Sequence, residues 1–377
     1  MACVIYCSAM RNRTFLWWVA GAVTAVLLIG GGIALAVGRR WGGGSPTAAP
    51  SSAAGVPSTP APAPATSSAP PPGADIKGPL DLLLLGVDTR TSVPDWQPHS
   101  DAIMLLHVEA GLKSAYLYSL PRDLRVKMPA FAKAGFGGGT FKITEAMSRG
   151  SKVPGSQKAN VPQGYELLTR TLTGYTGIKQ FQAAAILNFG GLVDLVDQLG
   201  GIDMVVDETV KSHHRKPDGS LRPLARGGGD FTGPQAVYKP GKHHFVGWQA
   251  IDYARQRYGL PNGDYDRERH QRQLVEAILT KARSQGLSSD LTKLSGLISA
   301  LGEALVDVGG RSPLEYAYAL RNLTPASITQ VNPAGGGVSV GGAYAGEQLN
   351  SESKAFLKAV AQDKIAAFLT AHPKLKG

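Results

Sequence analysis

The sequence predicts an α/β fold: a three-layer α/β/α sandwich with a mixed central sheet, set behind an N-terminal transmembrane helix. Three observations carry this reading. Apolar runs of strand length recur from residue 80 onward, and segments of helical periodicity are interleaved with them. An uncharged run of 23 residues lies near the N-terminus.

That run, Phe15 to Val37, spans roughly 34 Å as a helix at about 1.5 Å per residue, enough to cross a bilayer core. Trp17 and Trp18 suit one membrane interface. The rival reading is a cleaved signal peptide ending at Ala34-Leu35-Ala36, but apolar signal cores run to only about 7–15 residues, which favours the anchor. Arg11 and Arg13 on one side balance Arg39 and Arg40 on the other, so charge alone does not orient the span. Residues 1–14 would be a short cytoplasmic segment and 38–78 a linker rich in Pro, Ala, Ser and Gly. Cys3 and Cys7 both precede the span, leaving the large domain free of cysteine, as an exported domain without disulfides would be. Met10-Arg-Asn-Arg would also serve as the start of such an anchor. The expected arrangement is a single-pass protein of the cell membrane with its large domain extracytoplasmic.

The folded part is expected over 79–310, with a C-terminal extension of unknown role over 311–377. Leu80–Val87 reads as a buried strand, followed by strands at 102–108 and 115–120. A helix is expected over 167–174, a strand over 182–189, a helix over 191–199 and a short strand over 202–206. Residues 211–242, rich in Gly, Pro, His and basic side chains, read as an exposed excursion. Helices are predicted over 248–254 and 264–284, the latter with Asp264 as N-cap, and over 292–306 and 352–371. Gly335 to Gly346 reads as a glycine-rich loop.

A net charge of +11 and a pI near 9.6 point to anionic partners: nucleic acid, phosphorylated lipid, anionic membrane or wall polymer. No nucleic-acid-binding motif is present, which sets the first aside.

Chemistry concentrates in two places. Asp88 follows the first strand and Asp101 opens the second, so both fall at one end of the sheet, where α/β proteins place ligands. Two carboxylates there would hold Mg²⁺ or Mn²⁺, with water and phosphate oxygens completing the shell; the plainer alternative is that each caps a turn. Residues 252–273 then carry Arg255, Arg257, Arg267, Arg269 and Arg272, while Arg90 and Arg122 follow strand ends. Arginine's planar fork grips phosphate oxygens through paired hydrogen bonds, although charge runs are commonly solvated faces. Arg267, His270 and Gln271 share a face of their helix. The paired histidines at 213–214 and 243–244 lack metal-ligand spacing and read as surface residues. Gly135–Thr140 lacks the Gly-Lys-Ser/Thr ending of a phosphate loop and reads as a turn.

Taken in order, GVDTR (86–90), SDAIMLLHV (100–108), SLPRD (119–123) and ARQRY followed by GDYDRERHQRQ (254–273) resemble the LytR–CpsA–Psr family of envelope glycopolymer transferases. The resemblance covers roughly residues 80 to 285. It implies a metal-dependent phosphotransferase with a pocket for a polyprenyl chain. Such an enzyme moves a glycopolymer phosphate from a polyprenyl-pyrophosphate carrier to a peptidoglycan hydroxyl, and pyrophosphate hydrolysis would be a related activity. By resemblance, Asp88 and Asp101 hold the metal and act with Arg122 in catalysis. Arg90, Arg122, Arg255, Arg257, Arg267, His270 and Gln271 surround the pyrophosphate. His270 stands where the family carries a second arginine, which implies a weaker or pH-dependent phosphate contact. The competing class is a non-catalytic polyprenyl-phosphate-binding or regulatory membrane protein of the transcriptional-attenuator type.

Overall fold

The computed structural model describes residues 72–88, 96–226, 230–287, 290–301 and 305–376. The expected cytoplasmic segment, the anchor at 15–37, almost all of the linker, and Arg90 lie outside them. Among the described residues no helix is long and apolar enough to cross a membrane.

The chain opens with β1 (Leu80–Asp88), β2 (His99–Val108) and β3 (Ala115–Ser119), then a hairpin of β4 (Arg125–Met128) and β5 (Gly139–Lys142). Next come α1 (Glu145–Ser151), α2 (Val161–Thr176), β6 (Ala183–Asn188), α3 (Phe189–Gln198) and β7 (Ile202–Val206). The excursion contains β8 (Val210–Lys211) and β9 (Val237–Tyr238) and leads to β10 (Gly241–Phe245). Helices α4 (Gly247–Arg255), α5 (Asp264–Ser284) and α6 (Leu291–Leu301) follow. The last part holds β11 (Leu305–Gly309), α7 (Pro313–Leu320), β12 (Ile328–Val331), β13 (Gly335–Val340), β14 (Ala343–Leu349), α8 (Ser351–Val360) and α9 (Ile365–Ala371).

The central sheet has the order β11-β6-β1-β2-β3-β12. It is mixed: β1 runs antiparallel to β2 and parallel to β6, and β12 runs parallel to β3. Both faces are buried, which explains why β1 reads as a continuous apolar run. Leu82, Leu84, Met104, Leu106 and Leu117 pack on one side against α3, α4, α5 and α7. Leu83, Leu85, Ile103, Leu105 and Tyr118 pack on the other against α1, α2, α8 and α9. The predicted three-layer sandwich is what forms, and Leu82, Leu84, Ile103 and Leu105 belong to its core.

Four expectations are revised. The pattern over 292–306 splits into α6 and the edge strand β11, which pairs antiparallel with β6. The single helix over 352–371 breaks at 361–364, where Asp363 takes φ +54°. The glycine-rich loop is the hairpin β13–β14, turned by Gly341 and Gly342, both at positive φ as a two-residue hairpin loop requires. The segment after residue 310 is no appendage to the sheet: β12 forms its edge, and Phe356 and Leu357 of α8 lie in the core.

Candidate active site

The geometry begins at one end of the sheet. β3 is antiparallel to β2 and β6 is parallel to β1, so the C-terminal ends of β1, β3 and β6 meet the N-terminal end of β2. Asp88 closes β1, Arg122 lies just past β3, and Phe189 opens α3 after β6. The register slips between Gly86 and Val87: Gly86 faces Ala102 while Val87 faces Ser100, leaving Asp101 as the extra residue of a bulge. A bulge re-aims a side chain that strict alternation would send elsewhere.

These ends form the floor of a cleft of about 470 Å³. Asp88, Asp101, Arg122, Arg255, Arg257, Arg267 and Gln271 all line it, so residues up to 183 positions apart are brought together as expected. Lys142, Asp123, Glu145, Trp96, His99, His214 and Tyr258 join them.

The ion pairs are specific. Arg122 Nη1 donates to Asp101 Oδ1 at 2.7 Å, with its Nε 3.8 Å from Asp123 and 4.0 Å from Asp264. Arg267 Nη2 donates to Asp264 Oδ2 at 2.8 Å and to the Asp101 carbonyl at 3.2 Å. Lys142 Nζ donates to Asp123 Oδ2 at 2.9 Å. Burial opposes the Arg122 cation, but Asp101, Asp264 and Asp123 outweigh it and raise its pKa. Burial dominates at Arg255, whose guanidinium lies 3.8 Å over the Phe189 ring, and at Arg267, and lowers both. The Nε atoms of Arg122 and Arg267 and Oε1 of Gln271 are buried without a hydrogen-bond partner. Two orphaned guanidinium donors beside a polar cleft are what an anion would satisfy.

Asp88 and Asp101 both line the cleft, and carboxylates are the donor type that would hold a divalent cation there. Arg122 engages Asp101 through Oδ1. The other ligands would have to be water and phosphate oxygens, which is how Mg²⁺ is ordinarily held. The one group of three candidate metal-ligating side chains among the described residues, Asp207, Glu208 and His270, lies elsewhere and is bridged by the Arg269 cation.

His270 is corrected. It does not line the cleft but is fully buried, stacked on Tyr253 at 4.4 Å, with Nε2 3.7 Å from Asp207 and 3.5 Å from Glu208. On a helix it sits about 60° to the side of Arg267 and about 100° from Gln271, and that rotation turns it under β7. Arg269 and Arg272 are likewise structural: Arg269 pairs with Asp207 and Glu208, while Arg272 donates to Ser119 Oγ at 3.0 Å and to Asn332. Asp264 is the first residue of α5 rather than its cap, a position taken by Gly263. His214, expected on the surface, lines the cleft, and burial with His213 and Arg255 nearby holds its pKa down at about 4. No periodicity in the excursion signalled it.

The LytR_cpsA_psr family model matches residues 55–361 of this chain. The chain belongs to that family. Among curated relatives, it is 30% identical over 250 residues to Biofilm regulatory protein A of Streptococcus mutans, covering 65% of this chain and 55% of that protein. It is 30% identical over 223 residues to the polyisoprenyl-teichoic acid–peptidoglycan teichoic acid transferase TagU of Enterococcus faecalis, covering 59% of this chain and 60% of that one. Identity to the cell wall biosynthesis protein LcpA of Corynebacterium glutamicum is 25%, over 67% of this chain and 49% of LcpA. The aligned region thus spans only about half to three-fifths of these relatives' length. The fold recurs in protein gbs0355 of Streptococcus agalactiae, with TM-score 0.59 and 22% identity over 76% of this chain and 88% of that one. It recurs also in Bacillus subtilis TagV, with TM-score 0.53 and 17% identity over 77% and 98%.

Proposed function

We propose that this LytR_cpsA_psr protein is a phosphotransferase of the cell envelope. It moves a glycopolymer phosphate from a polyprenyl-pyrophosphate carrier to a peptidoglycan hydroxyl. The observation that carries the reading is the convergence of Arg122, Arg255, Arg257 and Arg267 with Asp88 and Asp101 at one sheet end. The names of relatives, which join a polyisoprenyl-linked donor to a peptidoglycan acceptor, support the same chemistry.

In this scheme the four arginines hold the pyrophosphate oxygens and take up charge as the transition state develops. The acceptor oxygen forms a new bond to the phosphorus bearing the glycopolymer, and the bond from that phosphorus to the bridging oxygen breaks. Polyprenyl phosphate leaves with the electron pair, and the hydroxyl proton passes to a carboxylate among Asp88, Asp101 and Asp123. Mg²⁺ or Mn²⁺ held by Asp88 and Asp101 would neutralise further phosphate charge. Residues 15–37 would anchor the chain, with the cleft on the extracytoplasmic side where lipid carrier and wall meet.

The test uses the full chain in lipid nanodiscs with a polyprenyl-pyrophosphate-linked glycan, with and without Mg²⁺ and peptidoglycan oligomers. Metal-dependent release of polyprenyl phosphate coupled to a phosphodiester product is expected. Arg122→Ala and Asp101→Ala should each lower kcat by about 10²-fold or more. Release without acceptor would reveal pyrophosphate hydrolysis. Tight donor binding with no turnover would refute the transferase and leave a lipid-phosphate-binding or regulatory protein.

A further inference from the structure

A second cavity, of about 370 Å³, opens beside the first and shares Asp123, Arg257 and Tyr258 with it. Its remaining wall is built by Gly263 and Asp264 and by Tyr344 and Glu347 of the β13–β14 hairpin. The hairpin is seated there through glycine. Gly346 takes φ +128°, and a Cβ on it would lie 2.5 Å from the Asp123 carbonyl oxygen. That close approach lets the Glu347 amide donate to the same carbonyl at 2.8 Å. A segment more than 200 residues away in sequence is thus fastened to the Arg122–Asp123 turn.

The wall chemistry narrows the ligand. Two tyrosines flank the space, Tyr258 at 55% and Tyr344 at 53% exposure, values high for rings this large. Each is held by its neighbours: Tyr258 stacks on His213 at 4.5 Å and has the Arg257 guanidinium 4.9 Å from its centroid, and the Tyr344 ring lies 4.8 Å from Lys142 Nζ. The Tyr344 hydroxyl donates to Glu347 at 2.9 Å, with Asp123 Oδ2 3.4 Å away as the alternative acceptor. Three carboxylates against one arginine disfavour an anion. A cation is not called for either, because Asp123 is bound by Lys142, Asp264 by Arg267, and Glu347 by Tyr344 and Tyr265. No aliphatic side chain lines it, so a lipid tail does not fit. A neutral, polyhydroxylated ring does: its face of C–H bonds packs on an aromatic ring, and its hydroxyls donate to carboxylate oxygens. The volume lies within the range of small-ligand sites.

We propose that this cavity is the acceptor subsite, taking a sugar ring of the peptidoglycan glycan strand and presenting its hydroxyl to the neighbouring cleft past Asp123. The assignment rests on the transferase reading for its role, but its binding claim is separable.

The full chain in nanodiscs is titrated calorimetrically with a peptide-free peptidoglycan tetrasaccharide. Donor affinity and acceptor KM are measured in parallel. Tyr344→Ala and Tyr258→Ala should each weaken tetrasaccharide binding and raise acceptor KM about tenfold, the scale of one lost aromatic contact; donor affinity stays at the wild-type value in Tyr344→Ala, whose side chain lies outside the first cleft. Tyr344→Phe keeps the ring and should retain most of the affinity. Val340→Ser, at the hairpin's outer end and 56% exposed, controls for general disturbance and should bind normally. Saturable binding lost in both alanine variants but accompanied by no transfer would sink the transferase reading and leave the sugar site standing. Transfer with unchanged acceptor KM in both would overturn the subsite and spare the transferase. Binding that requires an attached stem peptide would also overturn it.

Discussion

Replacing His270 with glutamine separates a structural role from a phosphate-binding one. The imidazole is fully buried against Tyr253, and burial, reinforced by Arg269, holds its pKa at about 4 instead of the ordinary 6.5. Asp207 and Asp266 pull the other way, and Asp207 and Glu208 stand 3.7 and 3.5 Å from Nε2. They do not prevail, because Arg269 already occupies those carboxylates and is itself close to the ring. The folded state therefore disfavours the imidazolium. The unfolded chain takes up the proton near pH 6.5 and the folded one only near pH 4, so stability is full above pH 6.5 and falls as pH drops through that window. A drop of that size in the pKa is worth about 3 kcal/mol at its limit. Urea unfolding of wild type and His270→Gln at pH 7.5, 6, 5 and 4.5 measures it. The difference between the two proteins, which cancels every other titrating group, should shift by about 2.5 kcal/mol in favour of the variant between pH 7.5 and pH 4.5. Donor affinity at pH 7.5 should be unaltered, since the ring faces away from the cleft. Parallel pH curves for the two proteins, or a large loss of donor affinity with normal stability, would refute the reasoning.

Two further outcomes follow from buried and strained positions. Burial pushes the Glu268 carboxyl up to about 8, so stability is lost as pH rises from 4.5 to 8; Glu268→Gln should stabilise the protein at pH 8.5, by on the order of 5 kcal/mol at most, and leave it nearly unchanged below pH 4.5, as chemical denaturation would show. Gly346→Ala places a Cβ against the Asp123 carbonyl at φ +128° and should cost about 2–3 kcal/mol in thermal unfolding; an unchanged Tm would mean the hairpin is not fastened there.

The strands at 80–87 and 102–108 were legible because both sheet faces are buried, so the local apolar run and the tertiary demand coincide. The same locality placed Asp88, Asp101 and Arg122 at strand ends, and the ordered motifs placed Arg255, Arg257, Arg267 and Gln271 with them. Residues 292–306 misled because a short apolar strand at a sheet edge carries the composition of a continuing helix.

What the sequence alone determined, then, is the α/β/α layering, the acidic and basic motifs, and the end of the sheet they share. Periodicity ties a side chain to its own helix or strand and no further. Which neighbours stand around that element is decided by packing between segments distant in the chain. Only the tertiary structure could send Arg267 into the cleft while Arg269, His270 and Arg272 turn to β7, Ser119 and Asn332. Only it could bring Tyr344 across 221 residues to Asp123.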